Sequence, residues 1–174
     1  MKTKFLILIL MAGFFVLKAQ EKDVFDIARS GTVAEMQQLM LKNPDVINSV
    51  SPMGFSPLIL ACYRGNTEVA DFLIEKVKDL NYKSPEGTAL AGLCIRYHKG
   101  LVEHLLRKNA DPNIADSSGT TPLIWAVKTG NEELVKILLN NRAKKDLADQ
   151  TGITPFEYAI QTKKQNIINL FKSD

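Results

Sequence analysis

Residues able to carry chemistry are scarce in this sequence. It contains two histidines, two cysteines and one tryptophan. His98 and His104 stand six residues apart, not the four that would place two ligands on one face of a helix, and neither cysteine joins the two of them in a metal-ligand motif. There is no glycine-rich phosphate loop, no G-x-S-x-G turn and no C-x-x-C pair. Without a base beside a nucleophile, catalysis has no candidate centre, so the protein is expected not to be an enzyme. No cofactor and no metal site is implied. Gly/Ser/Pro-rich linkers and low-complexity tracts are missing as well.

An excess of one charge is also lacking once the chain is divided. The whole sequence has 22 Lys and Arg against 19 Asp and Glu, but Lys2, Lys4 and Lys18 all fall within the first 20 residues. Without them the basic residues number 19, equal to the acidic ones. That balance argues against a nucleic-acid partner held by a broad basic surface. One long apolar run exists, the 13 residues 5–17, preceded by the basic Met1-Lys2-Thr3-Lys4 and followed by Lys18-Ala19-Gln20. It is too short to span a bilayer comfortably and has the layout of a secretory signal peptide. Residues 1–20 are therefore expected to be removed near Ala19 or Gln20. An exported product would remain, with no membrane attachment, periplasmic or else extracellular.

What the rest of the chain has is a period. The tetrapeptides SPLI (56–59), TALA (88–91), TPLI (121–124) and TPFE (154–157) start 32, 33 and 33 residues apart. Thr121 reads as a helix N-cap and Pro122 as a first helical residue, where no amide hydrogen is missed. Leu123, Ala126 and Val127 make an apolar stripe, and Gly130 fits a left-handed helix end. Leu134, Val135, Ile137, Leu138 and Leu139 then mark a second short helix. Asp116 and Gly119, ahead of Thr121, are turn residues. The unit is turn, helix, turn, helix. Neither helix could bury its apolar face alone, so the units must stack.

The T-P-L segment, the period and the two apolar stripes resemble the ankyrin repeat, a likeness that covers nearly all the chain after residue 22. The resemblance implies an all-α solenoid of helix pairs with β-turn fingers. Its units would be an N-terminal cap at 21–50, repeats at 51–83, 84–115 and 116–148, and a C-terminal cap at 149–174. It also implies a monomer that binds a protein partner on a concave face made of fingers and first helices. The variable contact positions of the family fall here on Met53, Phe55, Tyr63, Arg64, Ile95, Arg96, Ser117, Thr120, Lys128 and Thr129. The apolar and aromatic members of that set, with Arg64 and Arg96, have the composition of interface hot spots. Met53 and Phe55 are expected to be exposed on their finger and dispensable for folding. Small exported bacterial proteins that this one resembles suggest support of a periplasmic enzyme such as catalase, in defence against oxidative stress. Toxin neutralisation is the alternative. A haem or ligand carrier using Tyr97, His98 or His104 is a further class.

The copy at 84–115 is irregular. Its turn is one residue shorter, Ala89 replaces proline, Leu93 replaces alanine, and Tyr97 stands where the neighbouring copies have Gly65 and Gly130. A tyrosine resists the left-handed conformation, so the first helix is expected to end differently. Residues 97–100 are the alternative place for a binding surface. Gly92 shares its position with Leu60, Trp125 and Tyr158, and it is expected to leave room for the Trp125 indole. Cys62 and Cys94 occupy one position of consecutive copies, in a column with Ala28, Val127 and Ile160 expected to be buried throughout. Roughly 10 Å separates such positions, against the 7 Å or so that a disulfide tolerates, so two buried free thiols are expected. His98 falls at the link between helices. His104, between Val102 and Leu105, is expected to be a partly buried packing residue.

Overall fold

Four capping residues decide where helices begin. Ser56, Thr88, Thr121 and Thr154 hold an extended backbone, and each side-chain oxygen accepts the amide hydrogen three residues on. One of the amides left unpaired at a helix start is thereby satisfied. Pro57, Pro122 and Pro155 follow directly, with φ already helical. The computed structural model describes residues 22–172. The expected signal segment, residues 1–20, lies outside the described residues.

Ten α-helices run through the described chain: α1 Val24–Ser30, α2 Val33–Lys42, α3 Pro57–Arg64, α4 Thr67–Ile74, α5 Ala89–Ile95, α6 Lys99–Arg107, α7 Pro122–Thr129, α8 Glu132–Asn140, α9 Pro155–Thr162 and α10 Gln165–Lys172. They form five pairs. The first members α1, α3, α5, α7 and α9 pack side by side in one row, and each is backed by its partner from the second row. A single apolar core runs from Val24 to Ile167 between the rows. Each buried Leu, Ile or Val contributes roughly 1.5–3 kcal/mol, which helices of seven to ten residues need in order to persist.

Between the pairs the chain makes short fingers. In those at 51–55, 116–120 and 149–153 the first residue's amide bonds the carbonyl of the fifth. The finger at 84–87 closes one residue sooner, with Ser84 and Gly87 exchanging both backbone bonds. Fingers join one another through Ser117 N to Pro85 O (2.9 Å) and Gln150 N to Ser118 O (3.0 Å). At the opposite edge, Asn48, Asn81 and Asn113 each accept the amide hydrogen of a residue in the next unit, Lys78, Asp111 and Lys144.

Gly65 and Gly130 end α3 and α7 in the left-handed conformation, at φ 75° and 70°. Lys163 takes the same conformation at the end of α9. Tyr97 does not. Helix α5 instead stops at Ile95, with Arg96 at φ −105° and ψ 68°, and His98 becomes the cap of α6 by accepting the Leu101 amide at 3.3 Å. The altered helix end expected from the missing glycine is present.

Two packing expectations need correction. The neighbour of Gly92 is Tyr63 of the preceding unit, not Trp125 of the following one. A Cβ on Gly92 would stand 3.1 Å from Tyr63 Cδ2. Ile160 is 51 % exposed, whereas Ala28, Cys62, Cys94 and Val127 of the same column are buried. No further unit among the described residues covers that end of the stack. Both cysteines are free and buried as expected. Burial pushes the Cys62 thiol up to about 12 and the Cys94 thiol further, and Cys94 Sγ points at Leu90 O.

Candidate protein-binding cleft

The first residue of each finger settles what the finger face looks like. Asp116 accepts the amides of Ser118 and Thr120 and also the indole Nε1–H of Trp125, at 3.1 Å. Asp149 repeats the pattern with Thr151, Ile153 and the Tyr158 hydroxyl, at 2.6 Å. Both aromatics are drawn onto their own fingers, and Lys128 Nζ lies 5.2 Å from the Trp125 ring and 4.9 Å from that of Tyr158. A cation over two aromatic faces is attracted to each. This half of the face fills itself.

The other half does not. Ser51 and Ser84 begin the fingers there, and their hydroxyls serve only the turn. At the positions of Trp125 and Tyr158 stand Leu60 and Gly92, which have no donor to offer. The Tyr63 ring lies over Gly92, and an open cleft of about 580 Å³ remains. Met53, Phe55, Tyr63, Arg64, Ile95 and Arg96 all line it, joined by Arg29, Leu60 and Glu86. Six of the ten contact residues expected from the sequence thus come together in one concavity. Lys128 stands apart over its aromatic pair.

Met53 and Ile95 are the exposed apolar groups of the cleft, at 73 % and 39 %. Phe55 corrects its expectation. It is half-buried and packs against the core, so it is a wall of the cleft with a structural share. Its finger is fastened by Ser51 Oγ, which accepts the Phe55 amide, and by the Tyr82 hydroxyl, which donates to Gly54 O at 3.1 Å. Thr120 is buried and held to Ser118, which removes it from any contact surface. Burial raises the Tyr63 phenol pKa, with help from the charges of Glu86 and Asp116, so the hydroxyl stays neutral. Sequence reasoning missed Arg29 and Glu86. The signal for Arg29 was available, since it holds the Tyr63 position of the first pair.

The residues considered for a ligand carrier do not converge. Tyr97 faces the following unit, where its hydroxyl donates to Glu133 Oε2 at 2.9 Å beside Lys99 Nζ on Oε1 at 2.6 Å. Burial and that carboxylate push its phenol up to about 12. His104 faces the preceding unit. Its ring nitrogens lie 2.7 Å from Asp71 Oδ1 and 2.7 Å from Glu75 Oε1, on opposite edges of the ring. It is partly buried, as expected, and in addition forms a polar bridge between α6 and the end of α4. Among the described residues no group of three or more His, Cys, Asp or Glu side chains is arranged to hold a metal. No helix there is long and apolar enough to cross a membrane.

Comparison with known proteins agrees with the repeat reading. A family profile described as "Ankyrin repeats (3 copies)" matches residues 90–174, and one described as "Ankyrin repeat" matches residues 53–85. An ankyrin repeat protein of Fowlpox virus (strain NVSL) is 33% identical over 64% of this chain and 26% of its own length. "Ankyrin repeat and SAM domain-containing protein 6" of Rattus norvegicus is 30% identical over 57% of this chain and 11% of its own. "Ankyrin repeat, SAM and basic leucine zipper domain-containing protein 1" of Saimiri boliviensis boliviensis is 26% identical over 60% and 23%. The chain spans about a quarter or less of the length of these relatives.

Proposed function

The chain belongs to the ankyrin-repeat family, and we propose that it is an exported, non-catalytic binding module that holds a protein partner in the cleft between its first two fingers. Repeats of this family generally mediate interactions between proteins and are typically not catalysts. The observation that carries the choice of surface is the contrast along the finger face. The half with Asp116 and Asp149 has covered its aromatics with Lys128, while the half with Ser51 and Ser84 leaves Met53 and Ile95 unsatisfied around an open concavity. Desolvating such groups against a partner gains free energy that a self-capped surface cannot supply.

Export rests on the layout of residues 1–20, which points to the periplasm first. A periplasmic enzyme is the favoured client. A catalase-type enzyme is the specific candidate, and it rests on the resemblance of the sequence to small exported proteins. The carrier reading loses support because Tyr97 and His104 face opposite ways along the stack and are already engaged.

Two measurements test this. Cell fractionation with N-terminal sequencing should find the protein outside the cytoplasm, beginning close to Gln20 or Glu21. Affinity capture with the chain and two variants tests the surface. Leu41, on a second-row helix, is 78 % exposed and Met53 is 73 % exposed, so an Asp at either place should leave folding intact. Met53→Asp should lose the partner and Leu41→Asp should keep it. The reverse pattern moves the site off the cleft.

A further inference from the structure

The cleft has a charge pattern as well as a shape. Resting on the reading above, we infer that its occupant is an acidic peptide segment of the partner. A bulky apolar side chain would seat among Met53, Phe55 and Ile95, and flanking carboxylates would be held by Arg64 and Arg96.

Arg64 is the last residue of α3, and Arg96 is the equivalent residue just past the end of α5. Consecutive units repeat at roughly 10 Å, so the two side chains start about that far apart along the stack. Both are exposed, and neither has a hydrogen bond or ion pair from its guanidinium among the described residues. The third arginine of the cleft is already committed, with Arg29 Nη1 donating to Asp26 Oδ1 at 3.0 Å. Glu86 supplies the one carboxylate of the lining, and its charge is felt by the Tyr63 phenol. Two arginines without a paired carboxylate therefore border an apolar floor, and Glu86 is the single acidic residue of the lining.

A cation at a helix C-terminus complements the helix dipole, which accounts for a positive charge at each helix end. It does not account for both guanidiniums bordering one concavity floored by Leu60 and walled by Phe55. The same column reads Thr129 and Thr162 in the following units, so the charge is confined to the open half of the face. Arginine binds carboxylates through two parallel N–H···O bonds, and beside apolar groups those bonds are partly shielded from water. A nucleic-acid phosphate chain would use the arginines but would leave Met53 and Ile95 without a partner. An acidic segment bearing Leu, Met, Phe or Trp uses both.

The test is selection from a random phage-displayed peptide library against the immobilised full-length chain. Selected peptides are then synthesised, and affinities are read by fluorescence anisotropy. Enriched peptides should carry Asp or Glu on both sides of a large apolar residue. Their affinity should fall about tenfold between roughly 50 and 500 mM salt, as screening shortens. The Arg64→Glu/Arg96→Glu chain should lose them and should itself enrich Lys- and Arg-bearing peptides. Circular dichroism checks that each variant is folded. Peptides lost with Met53→Asp but neutral, salt-independent and indifferent to the arginine reversal would overturn the charge inference and leave the cleft reading standing. Peptides indifferent to both variants, or a selection that enriches nothing, would overturn both. A fluorescent oligonucleotide bound more tightly than any selected peptide would overturn the peptide class.

Discussion

Cys62 and Cys94 look like candidates for a disulfide only until their places in the repeat are compared. Each is buried in its first-row helix, one unit from the other, and burial holds the Cys62 thiol at about 12. The thiolate is the reactive form, so a folded protein at about pH 8 should consume no thiol reagent within minutes. After unfolding without reductant, both groups should react; a count of zero would mean that they are paired. Gly92 offers a sharper check of local packing. Its missing side chain is the space that Tyr63 occupies. Gly92→Leu should destabilise by about 1–3 kcal/mol in urea unfolding. Most of that loss should vanish in a Tyr63→Ala background and none of it in a Trp125→Ala background. The opposite rescue pattern would restore Trp125 as the neighbour.

Fingers and helix caps are where single residues become element-wide properties. Asn66 precedes α4, yet its side-chain amide reaches back to the carbonyls of Ile27, Ala28 and Gly31 at the end of α1. One residue thus caps one helix and fastens it to the next unit. Asp149 organises the last finger from within its own unit. The Thr151 hydroxyl, then Tyr158 and the finger amides, hold its carboxyl down to about 2. A depressed carboxylate stabilises the fold above its unfolded value near 3.8, and that share is lost as pH falls towards 2. Asp149→Asn should therefore melt a few degrees below the parent at neutral pH, by scanning calorimetry. The gap should close between about pH 4 and pH 2. A gap unchanged across that window would mean that the carboxylate charge is not what the finger uses.

Stability is shared by neighbours, because the main helix contacts among the described residues lie within a pair or between adjacent pairs. One column shows the consequence. Val127 is fully buried between units, while Ile160 in the same column lies on the terminal face. Val127→Lys should cost more than about 4 kcal/mol, because an unpaired ammonium is forced into the core. Ile160→Lys should stay within about 0.5 kcal/mol. Equal losses at both positions would require another unit to cover α9. The division of the finger face into a self-capped half and an open half belongs to this scale too, since it depends on which finger begins with Asp and which with Ser.

The sequence by itself determined the repeat, the caps and the columns. Those depend on local chemistry: a Thr that accepts an amide three residues on, a Pro at a first helical place, a Gly that tolerates positive φ, and apolar residues at helical spacing. The missing glycine at residue 97 and the short finger at 84–87 were legible for the same reason, and so were six residues of the cleft. Only the tertiary structure decided which side chain fills which space. Whether Gly92 receives Tyr63 or Trp125 turns on a contest between neighbouring units, and Asp116 wins the indole at 3.1 Å. His104 reads as packing from its place between Val102 and Leu105, yet Asp71 and Glu75 of the preceding unit claim both ring nitrogens. Phe55 reads as exposed from its finger, yet the stack half-buries it. Tyr63 for Gly92, and Asp71 and Glu75 for His104, are each about one repeat away in sequence, where no local rule reaches and only the stacking of units brings the groups together.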